Sequence, residues 1–276
     1  MSFFIPFVYR RGIGSNGGGG GNSPTPPSGS LLLDLDPNLG VFSDASKLSS
    51  STDGDLVYTW VDQSPNSYDV KQTDSSERPV YKTDGDNGEP YVWFDDSFNT
   101  HMFIPNDSSF DTSSMTIFIV AEITPVSEQD GDNFITNSYD GTTETNGGWR
   151  VYVEDWDSPG YSTPTITAQM ENSSSDLSIT NAEVNQNQVI VHRFEEGVSN
   201  KLRVNNLTES NGPITTNINY GTRYDVVLGA RRDSSDPSGV ALYLPHKLYR
   251  CVIYDEYLDD STVSTFVNNL MNHHNI

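Results

Sequence analysis

Sugar binding is the chemistry that the residues of this chain suit best, because aromatic side chains lie beside acidic ones in the sequence. Aromatic rings stack on pyranose rings, while carboxylates and amides bond the hydroxyl groups. The segment around residues 155–161 carries both kinds of group. The candidate sugar-binding residues are Trp149, Trp156, Asp157 and Tyr161. Trp149 also begins an alternating strand, so a place in the core is the alternative for that indole.

Two acidic segments have the spacing of cation-binding loops. Asp84 and Asp86 form one pair, and Asp130 and Asp132 form the other, each separated by a glycine and followed by an asparagine. Calcium prefers oxygen ligands of this kind. Both segments depart from the EF-hand pattern at the next positions, and Asp-Gly and Asn-Gly are also ordinary turn sequences. Turns are favoured here, with calcium as the alternative and no other cofactor expected.

Groups for nucleophilic catalysis are not brought together by any pattern in the sequence. A Gly-x-Ser-x-Gly motif is absent, and three of the histidines fall in separate strand-like segments. These are His101, His192 and His246. His273 and His274 are adjacent in a helical segment, where neighbouring side chains diverge, and we expect them to be solvated. The sequence therefore predicts a protein without a catalytic site.

Short strands separated by turn residues must position the candidate groups. The run from Met115 to Ile123 is apolar throughout and predicts a central, doubly covered strand. Further strands are predicted at 56–61, 91–94, 101–104, 149–154, 189–194, 201–204, 224–228 and 248–254. The 189–194 and 201–204 runs are close enough in the chain for a hairpin.

One segment has helical periodicity. Val263, Phe266, Val267, Leu270 and Met271 recur at the spacing of one helix face. Two aspartates just before this segment, at 259 and 260, can cap its first turn by accepting backbone N–H bonds. Many strands with one terminal helix predict an all-β protein built as a β-sandwich.

An ordered series of motifs carries a family resemblance. The motifs are Leu31–Leu35, Tyr58–Asn66 with its Trp-x-Asp-x-Ser, Arg78–Tyr81, Pro90–Asp96, Phe118–Glu122, Leu202–Asn206, Leu228–Arg231 and Val252–Asp260. In this order they resemble the concanavalin A-like, or laminin-G-like, jelly-roll domain. The resemblance covers residues 31–276 and implies two packed antiparallel sheets, often with a sugar or cation site on an edge. This scaffold is shared by lectins, hydrolases and structural modules, so it does not decide the function.

The hydrolases of this family carry paired carboxylates on one strand, in the pattern Glu-x-Asp-x-x-Glu or a shorter form. That pattern is absent from the chain. The nearest approach begins at Glu154, and its spacing is wrong for an acid and a nucleophile placed across one scissile bond. A solvated acidic loop is the better interpretation.

The first thirty residues predict an extended arm rather than part of the sandwich. Residues 1–11 form an apolar docking peptide, and 12–30 form a tether rich in glycine and proline. The predicted docking residues are Phe3, Phe4, Ile5, Phe7, Val8, Tyr9, Arg10 and Arg11. An exposed apolar peptide of this size indicates a partner surface. The arginines follow the apolar run and Pro6 interrupts it, which argues against a signal peptide.

Composition excludes several classes of partner. The chain has 15 Lys and Arg against 38 Asp and Glu, a formal charge of −23, which disfavours nucleic acid. No run approaches the ~18 apolar residues of a spanning helix, so membrane insertion is not expected. The one cysteine, Cys251, excludes an intrachain disulfide.

These observations favour a non-enzymatic virion structural protein of a tailed bacteriophage, a head decoration, a head fibre or a tail-associated protein. The arm would dock into other virion proteins, and the jelly roll would be displayed as a homo-oligomer, such as a trimer, with a cell-surface glycan as a further partner. The alternative is a carbohydrate-binding, lectin-like module whose sugar site is its purpose. A secreted glycoside hydrolase is the third and weakest hypothesis.

Overall fold

Short β-strands make up most of the fold, and an α-helix closes the chain. The computed structural model describes residues 23–124, 132–137, 148–154, 164–170, 176–180, 182–214, 218, 220, 225–232 and 239–276. The first strands are β1 Leu31–Leu35, β2 Val41–Phe42, β3 Thr59–Trp60, β4 Val70–Lys71, β5 Val80–Lys82, β6 Tyr91–Phe94, β7 Met102–Ile104, β8 Ser114–Ile123, β9 Asp132–Thr136 and β10 Trp149–Glu154. The later strands are β11 Thr165–Met170, β12 Leu177–Ile179, β13 Asn187–Glu195, β14 Ser199–Val204, β15 Ser210–Gly212, β16 Val226–Leu228, β17 Arg231–Arg232, β18 Val240–Ala241 and β19 His246–Tyr254.

The first sheet has the order β15-β14-β13-β8-β19-β6-β5, and β1 also pairs with β19. All of these pairings are antiparallel. Strand β8 lies in the middle of the sheet, between β13 and β19, and is buried from Met115 to Ile123. The prediction of a central strand at 115–123 is therefore confirmed.

The second sheet has the order β12-β11-β10-β9-β16-β7-β4-β3-β2. Its pairings are antiparallel as well, with a bulge where β9 meets β10. Strands β17 and β18 form a separate two-stranded ribbon. The two large sheets contribute alternate residues to one apolar core, as expected when two sheets pack face to face.

The helix α1, Asp260–His274, covers the outer face of the first sheet. Phe266 lies on this interface, and its ring meets that of Phe118 edge to face at 5.0 Å. The Asp259 carboxylate caps the helix by accepting from the N–H groups of Ser261 and Thr262. The helix thus lies where the periodicity predicts it. Within the described ranges, no helix has the length and apolar character that crossing a membrane requires.

A buried turn follows the first tryptophan, within the Trp-x-Asp-x-Ser motif. The indole of Trp60 is fully buried, and its Nε1 donates to the carbonyl oxygen of Asp36 at 3.2 Å. Asp62 accepts from the N–H and hydroxyl of Ser64 at 2.8 and 2.6 Å. Asp62 also accepts from the N–H of Asp34 at 2.9 Å, which joins the turn to β1. The Trp-x-Asp-x-Ser motif is therefore structural.

Several strands are shorter than predicted. The 56–61 run contributes only Thr59–Trp60, and the 224–228 run only Val226–Leu228. The 189–194 and 201–204 runs form the predicted antiparallel hairpin, whose turn contains Gly197 at a φ of 72°. The last residues of the predicted tether contact the sandwich, since Tyr254 Oη donates to the Pro27 carbonyl at 2.7 Å. Residues 1–22, which include the docking peptide, lie outside the described residues.

Candidate functional site

Polar side chains cover the outer side of the second sheet where β10, β11 and β12 lie together. Alternation explains the arrangement: Trp149, Val151 and Val153 enter the core, so the residues between them face away from it. The same alternation holds on β11 and β12. We call this surface the polar face, and its residues are Arg150, Tyr152, Glu154, Thr167, Gln169, Asp176 and Ser178.

Strand register sets which of these side chains meet. Arg150 is paired with Gln169, and Tyr152 with Thr167, across β10 and β11. The Arg150 Nε donates to Gln169 Oε1, and the guanidinium carbon lies 4.2 Å from the centroid of the Tyr152 ring. A guanidinium stacked on an aromatic ring keeps its N–H groups in its own plane, free to point outward to oxygen acceptors. Arg150 is therefore held in place by two neighbours.

The Glu154 carboxylate accepts hydrogen bonds from two hydroxyl groups of the polar face. Its Oε1 accepts from Tyr152 Oη at 2.7 Å, and its Oε2 accepts from Thr167 Oγ1 at 2.9 Å. The Thr167 hydroxyl also lies 3.0 Å from the Ser178 hydroxyl. Gln169 Nε2 donates to Asp176 Oδ2 at 3.2 Å. The face thus has two hydrogen-bonded groups, joined where the Arg150 guanidinium stacks on the Tyr152 ring, and together they fix the side chains before a ligand arrives.

Burial changes the acidity of two groups here. It raises the pKa of Tyr152 far above its usual range, with a further contribution from the hydrogen bond to Glu154. Burial also raises the pKa of Asp176, against the opposing effects of the Gln169 hydrogen bond and the Arg150 charge. The Tyr152 hydroxyl therefore stays protonated at neutral pH and acts as a donor.

The chemistry of the polar face suits recognition of a hydroxylated ligand. It combines a guanidinium, two carboxylates, an amide and three hydroxyls. Such groups supply both donors and acceptors, which the alternating hydroxyls of a sugar require. A tyrosine that holds its proton is a poor nucleophile, so the Tyr152–Glu154 pair is arranged for hydrogen bonding.

Trp149 is not available to a sugar. Its indole is fully buried between the sheets, and its Nε1 donates to the Phe110 carbonyl oxygen at 3.2 Å. The expectation of a stacking role is corrected, because alternation places residue 149 on the core side of β10. Trp156, Asp157 and Tyr161 lie outside the described residues, in the connection between β10 and β11. Both of these strands contribute to the polar face.

The calcium candidates are dispersed in the described structure. Asp84 accepts from Tyr91 Oη at 3.0 Å, and Asp86 accepts from Asn187 Nδ2 at 3.3 Å. Asp132 is buried in β9, and Asp130 lies outside the described residues. In the part of the chain that the structure describes, no three His, Cys, Asp or Glu side chains are grouped so that they could hold a metal.

The histidines are structural, and the expectation for two of them is corrected. His192 and His246 are fully buried, which lowers the pKa of each to about 4. His101 is buried as well. His274 is not solvated, because it packs inside the last helical turn against the ring of Tyr249, at 5.5 Å between centroids. His273 Nε2 lies 3.3 Å from Glu89 Oε1, a contact that sequence spacing does not reveal.

None of the sugar-binding residues predicted from the sequence belongs to the polar face. The available signal was the alternation of Trp149–Glu154 and Thr165–Met170, which places every second residue outside the core. That alternation predicts two strands, but not that they are neighbours. The pairing of Arg150 with Gln169 depends on strand register, which follows from the folded chain.

Comparison with known proteins gives matches at the level of structure. No protein-family model and no curated protein matches this chain. The binding domain of Paraclostridial Mosquitocidal Protein 1 superimposes with a TM-score of 0.54 at 13% identity, over 88% of this chain and 53% of that one. The binding domain of Botulinum Neurotoxin DC in complex with SialylT gives 0.51 at 13% identity, over 87% and 51%. Trypanosoma rangeli sialidase in complex with sialic acid gives 0.52 at 12% identity, over 89% and 33%.

The fold is a jelly-roll β-sandwich. Two antiparallel sheets, a shared core and a C-terminal helix agree with the resemblance in the sequence, and these neighbours have jelly-roll domains. This chain spans about half the length of the two toxin binding domains and a third of the sialidase. At this level of identity, the likeness concerns the fold alone.

Proposed function

We propose that this protein is a non-enzymatic carbohydrate-binding module whose ligand is a glycan held on the polar face. The observation that carries the proposal is the network of Arg150, Tyr152 and Glu154 on the outer side of β10, extended by β11 and β12. Glu154, Gln169, Asp176 and Ser178 are its accessible groups, and the buried Arg150, Tyr152 and Thr167 hold them in place. This favours the lectin-like alternative from the sequence over a purely structural role.

The structural neighbours support the same proposal. The toxin binding domain was solved in complex with SialylT, and the sialidase with sialic acid. Proteins with this sandwich therefore include ones that hold sugars. The side chains of the polar face are the independent support, because they belong to this chain and do not depend on the likeness.

A binding role without catalysis agrees with the chemistry of the face. Its carboxylates are engaged with neighbours: Glu154 with Tyr152 and Thr167, and Asp176 with Gln169. The raised pKa of Tyr152 keeps its proton on the hydroxyl. These groups are arranged to hold a ligand and lack an activated nucleophile.

The docking role of residues 2–11, the homo-oligomer and the location on a virion stay predictions. They rest on the arm and on the sequence pattern. A glycan-binding module carried on a larger particle by an apolar arm remains the arrangement that we propose. Pro27 and Ser30 bond to Tyr254 and Glu256, so the last residues of the tether lie against the sandwich.

A glycan array with the full chain tests the proposed function. We expect binding to a restricted set of glycans, since a network of fixed donors and acceptors accepts only matching hydroxyl patterns. We also expect no release of product from fluorogenic glycosides of the same sugars. Absence of any specific glycan ligand would contradict the proposal, and turnover of a glycoside would contradict its non-enzymatic part.

A further inference from the structure

A second polar pocket lies on the first sheet, where the C-terminal end of α1 meets the start of β13. Its volume is about 300 Å³, at the small end of the range for ligand sites. The residues that matter for its chemistry are Asp86, Glu183, Asn185, Asn187, His274 and Asn275. We call it the helix-end pocket. It shares no residue with the polar face, and its role does not depend on the proposed function.

Buried polar atoms in this pocket lack protein partners. Asn187 is 6% exposed; its Nδ2 donates to Asp86 Oδ2, while its Oδ1 has no hydrogen-bond partner in the described structure. His274 is 5% exposed, and its Nδ1 is likewise without a partner there. A buried polar atom without a partner costs about 1–3 kcal/mol. Such atoms beside an open pocket point to a ligand that completes their bonding.

The rim of the pocket is rigid. Asn185 and Asn275 line it with left-handed backbone, at φ values of 55° each, and Asn87 beside them has a φ of 60°. Asn275 Nδ2 donates to Asn87 Oδ1, and Asn87 Nδ2 donates to the His273 carbonyl at 3.4 Å. These bonds tie the helix end to the loop that carries Asp86. The pocket is therefore preformed, which lowers the entropic cost of binding a ligand.

From this geometry we infer that the helix-end pocket binds one ring of a neutral sugar. Sugar hydroxyls would donate to the Asp86 carboxylate and to Asn187 Oδ1, and a hydroxyl would bond the unpaired His274 nitrogen. The volume limits the ligand to about one ring. The molecule would then hold sugars at two separate places.

Other ligand classes fit the pocket less well. An acidic sugar would meet the carboxylates of Asp86 and Glu183. Calcium takes six to eight oxygen ligands, whereas here a carboxylate oxygen already accepts from an amide and an imidazole lines the wall. His274 stays neutral because burial, followed by the nearby charges of His273 and Arg250, lowers its pKa to about 3. A neutral imidazole and amides suit a neutral polyol.

Saturation-transfer NMR with the full chain tests this site. The probes are glucose, galactose, mannose and N-acetylglucosamine, with N-acetylneuraminic acid as the acidic competitor; calcium chloride, which has no proton to observe, is tested by titration calorimetry. Asp86→Asn and Glu183→Gln remove the carboxylates and preserve their shapes. Asp96→Asn is the matched control, because Asp96 also begins a short 3-10 helix but lies outside the pocket. Thermal melting of each variant confirms folding.

We expect at least one neutral sugar to bind, and Asp86→Asn to weaken it about tenfold or more, as loss of a charge-assisted hydrogen bond should. Asp96→Asn should leave that signal unchanged, because Asp96 lies outside both the helix-end pocket and the polar face. The inference is overturned if no neutral sugar binds, if both pocket variants bind as the parent does, or if only the acidic sugar or calcium binds.

Discussion

One buried arginine holds together the acidic residues at the start of the sandwich. Arg250 Nη1 pairs with Asp36, and its Nη2 lies 2.8 Å from Asp34 Oδ1, all three side chains being buried. Burial raises the pKa of Asp34 to about 6; Arg250 opposes this shift, while Asp36 and Asp62 add to it. One guanidinium facing several carboxylates leaves an excess of negative charge, so one of them accepts a proton readily.

This cluster predicts a pH dependence with a definite sign. The Asp34 pKa is raised on folding, so the folded chain binds the extra proton and loses stability as pH rises from about 4 to about 6. We expect the free energy of unfolding of the parent, minus that of Asp34→Asn, to fall over this window by on the order of 2–3 kcal/mol. Urea unfolding at a series of pH values measures it. A flat or rising difference would contradict the shift.

The buried histidines act in the opposite direction, which is why the comparison with Asp34→Asn is needed. Burial lowers the pKa of His192 and of His246 to about 4, from a usual value of 6.5. Their contribution to stability is complete above about pH 6.5 and is lost as pH falls towards 4. Subtracting the variant cancels this common effect, because both chains keep these histidines.

At the scale of elements, α1 explains why the outer faces of the two sheets differ in polarity. The helix buries the outer face of the first sheet through residues such as Phe266, Val267 and Leu270, which meet Phe118 and its neighbours on that face. The outer side of β10–β12 in the second sheet carries polar groups instead. The helix therefore covers the first sheet, whereas the polar face of the second sheet is where we propose that a glycan binds.

Removing the central ring of this interface should destabilise the fold. We expect Phe266→Ala to lower the free energy of unfolding by about 3–5 kcal/mol, because it deletes a buried aromatic side chain and leaves a cavity. Asn268→Ala, on the exposed side of the same helix, is the control and should change stability by about 0.5 kcal/mol or less. Urea denaturation measures both. Equal effects would show that the helix is not packed as described.

The elements were more predictable than the site, for a physical reason. The residue pattern of helix α1 and of strand β8 repeats over a few positions, so each can be predicted locally. The turn after Trp60 includes a bond from the Ser64 N–H to Asp62, only two positions away. The polar face depends on Arg150 meeting Gln169, nineteen positions away. The helix-end pocket depends on Asp86 meeting Asn187, 101 positions away. Local sequence patterns do not predict contacts between residues so far apart in the chain. The candidate sugar-binding residues predicted from the sequence were therefore mainly aromatic ones.

The whole molecule is strongly acidic, and its few basic side chains include one that its neighbours hold in a fixed position. Against a formal charge of −23, Arg150 is fixed on the polar face between Tyr152 and Gln169. Because charge-assisted hydrogen bonds are about twice as strong as neutral ones, we expect this guanidinium to dominate glycan recognition. In the proposed arrangement, the arm at residues 1–30 would attach the sandwich to a larger particle, and the polar face would bind a glycan.

Calorimetric titration of Arg150→Ala with the glycan selected on the array tests this account most directly. Arg78→Ala is the matched control, because that guanidinium also stacks on a tyrosine, 4.5 Å from the ring of Tyr58. The account predicts that Arg150→Ala weakens binding about tenfold or more, with Arg78→Ala unchanged. Equal affinity of the parent and Arg150→Ala, with both folded, would contradict the polar face as the glycan site.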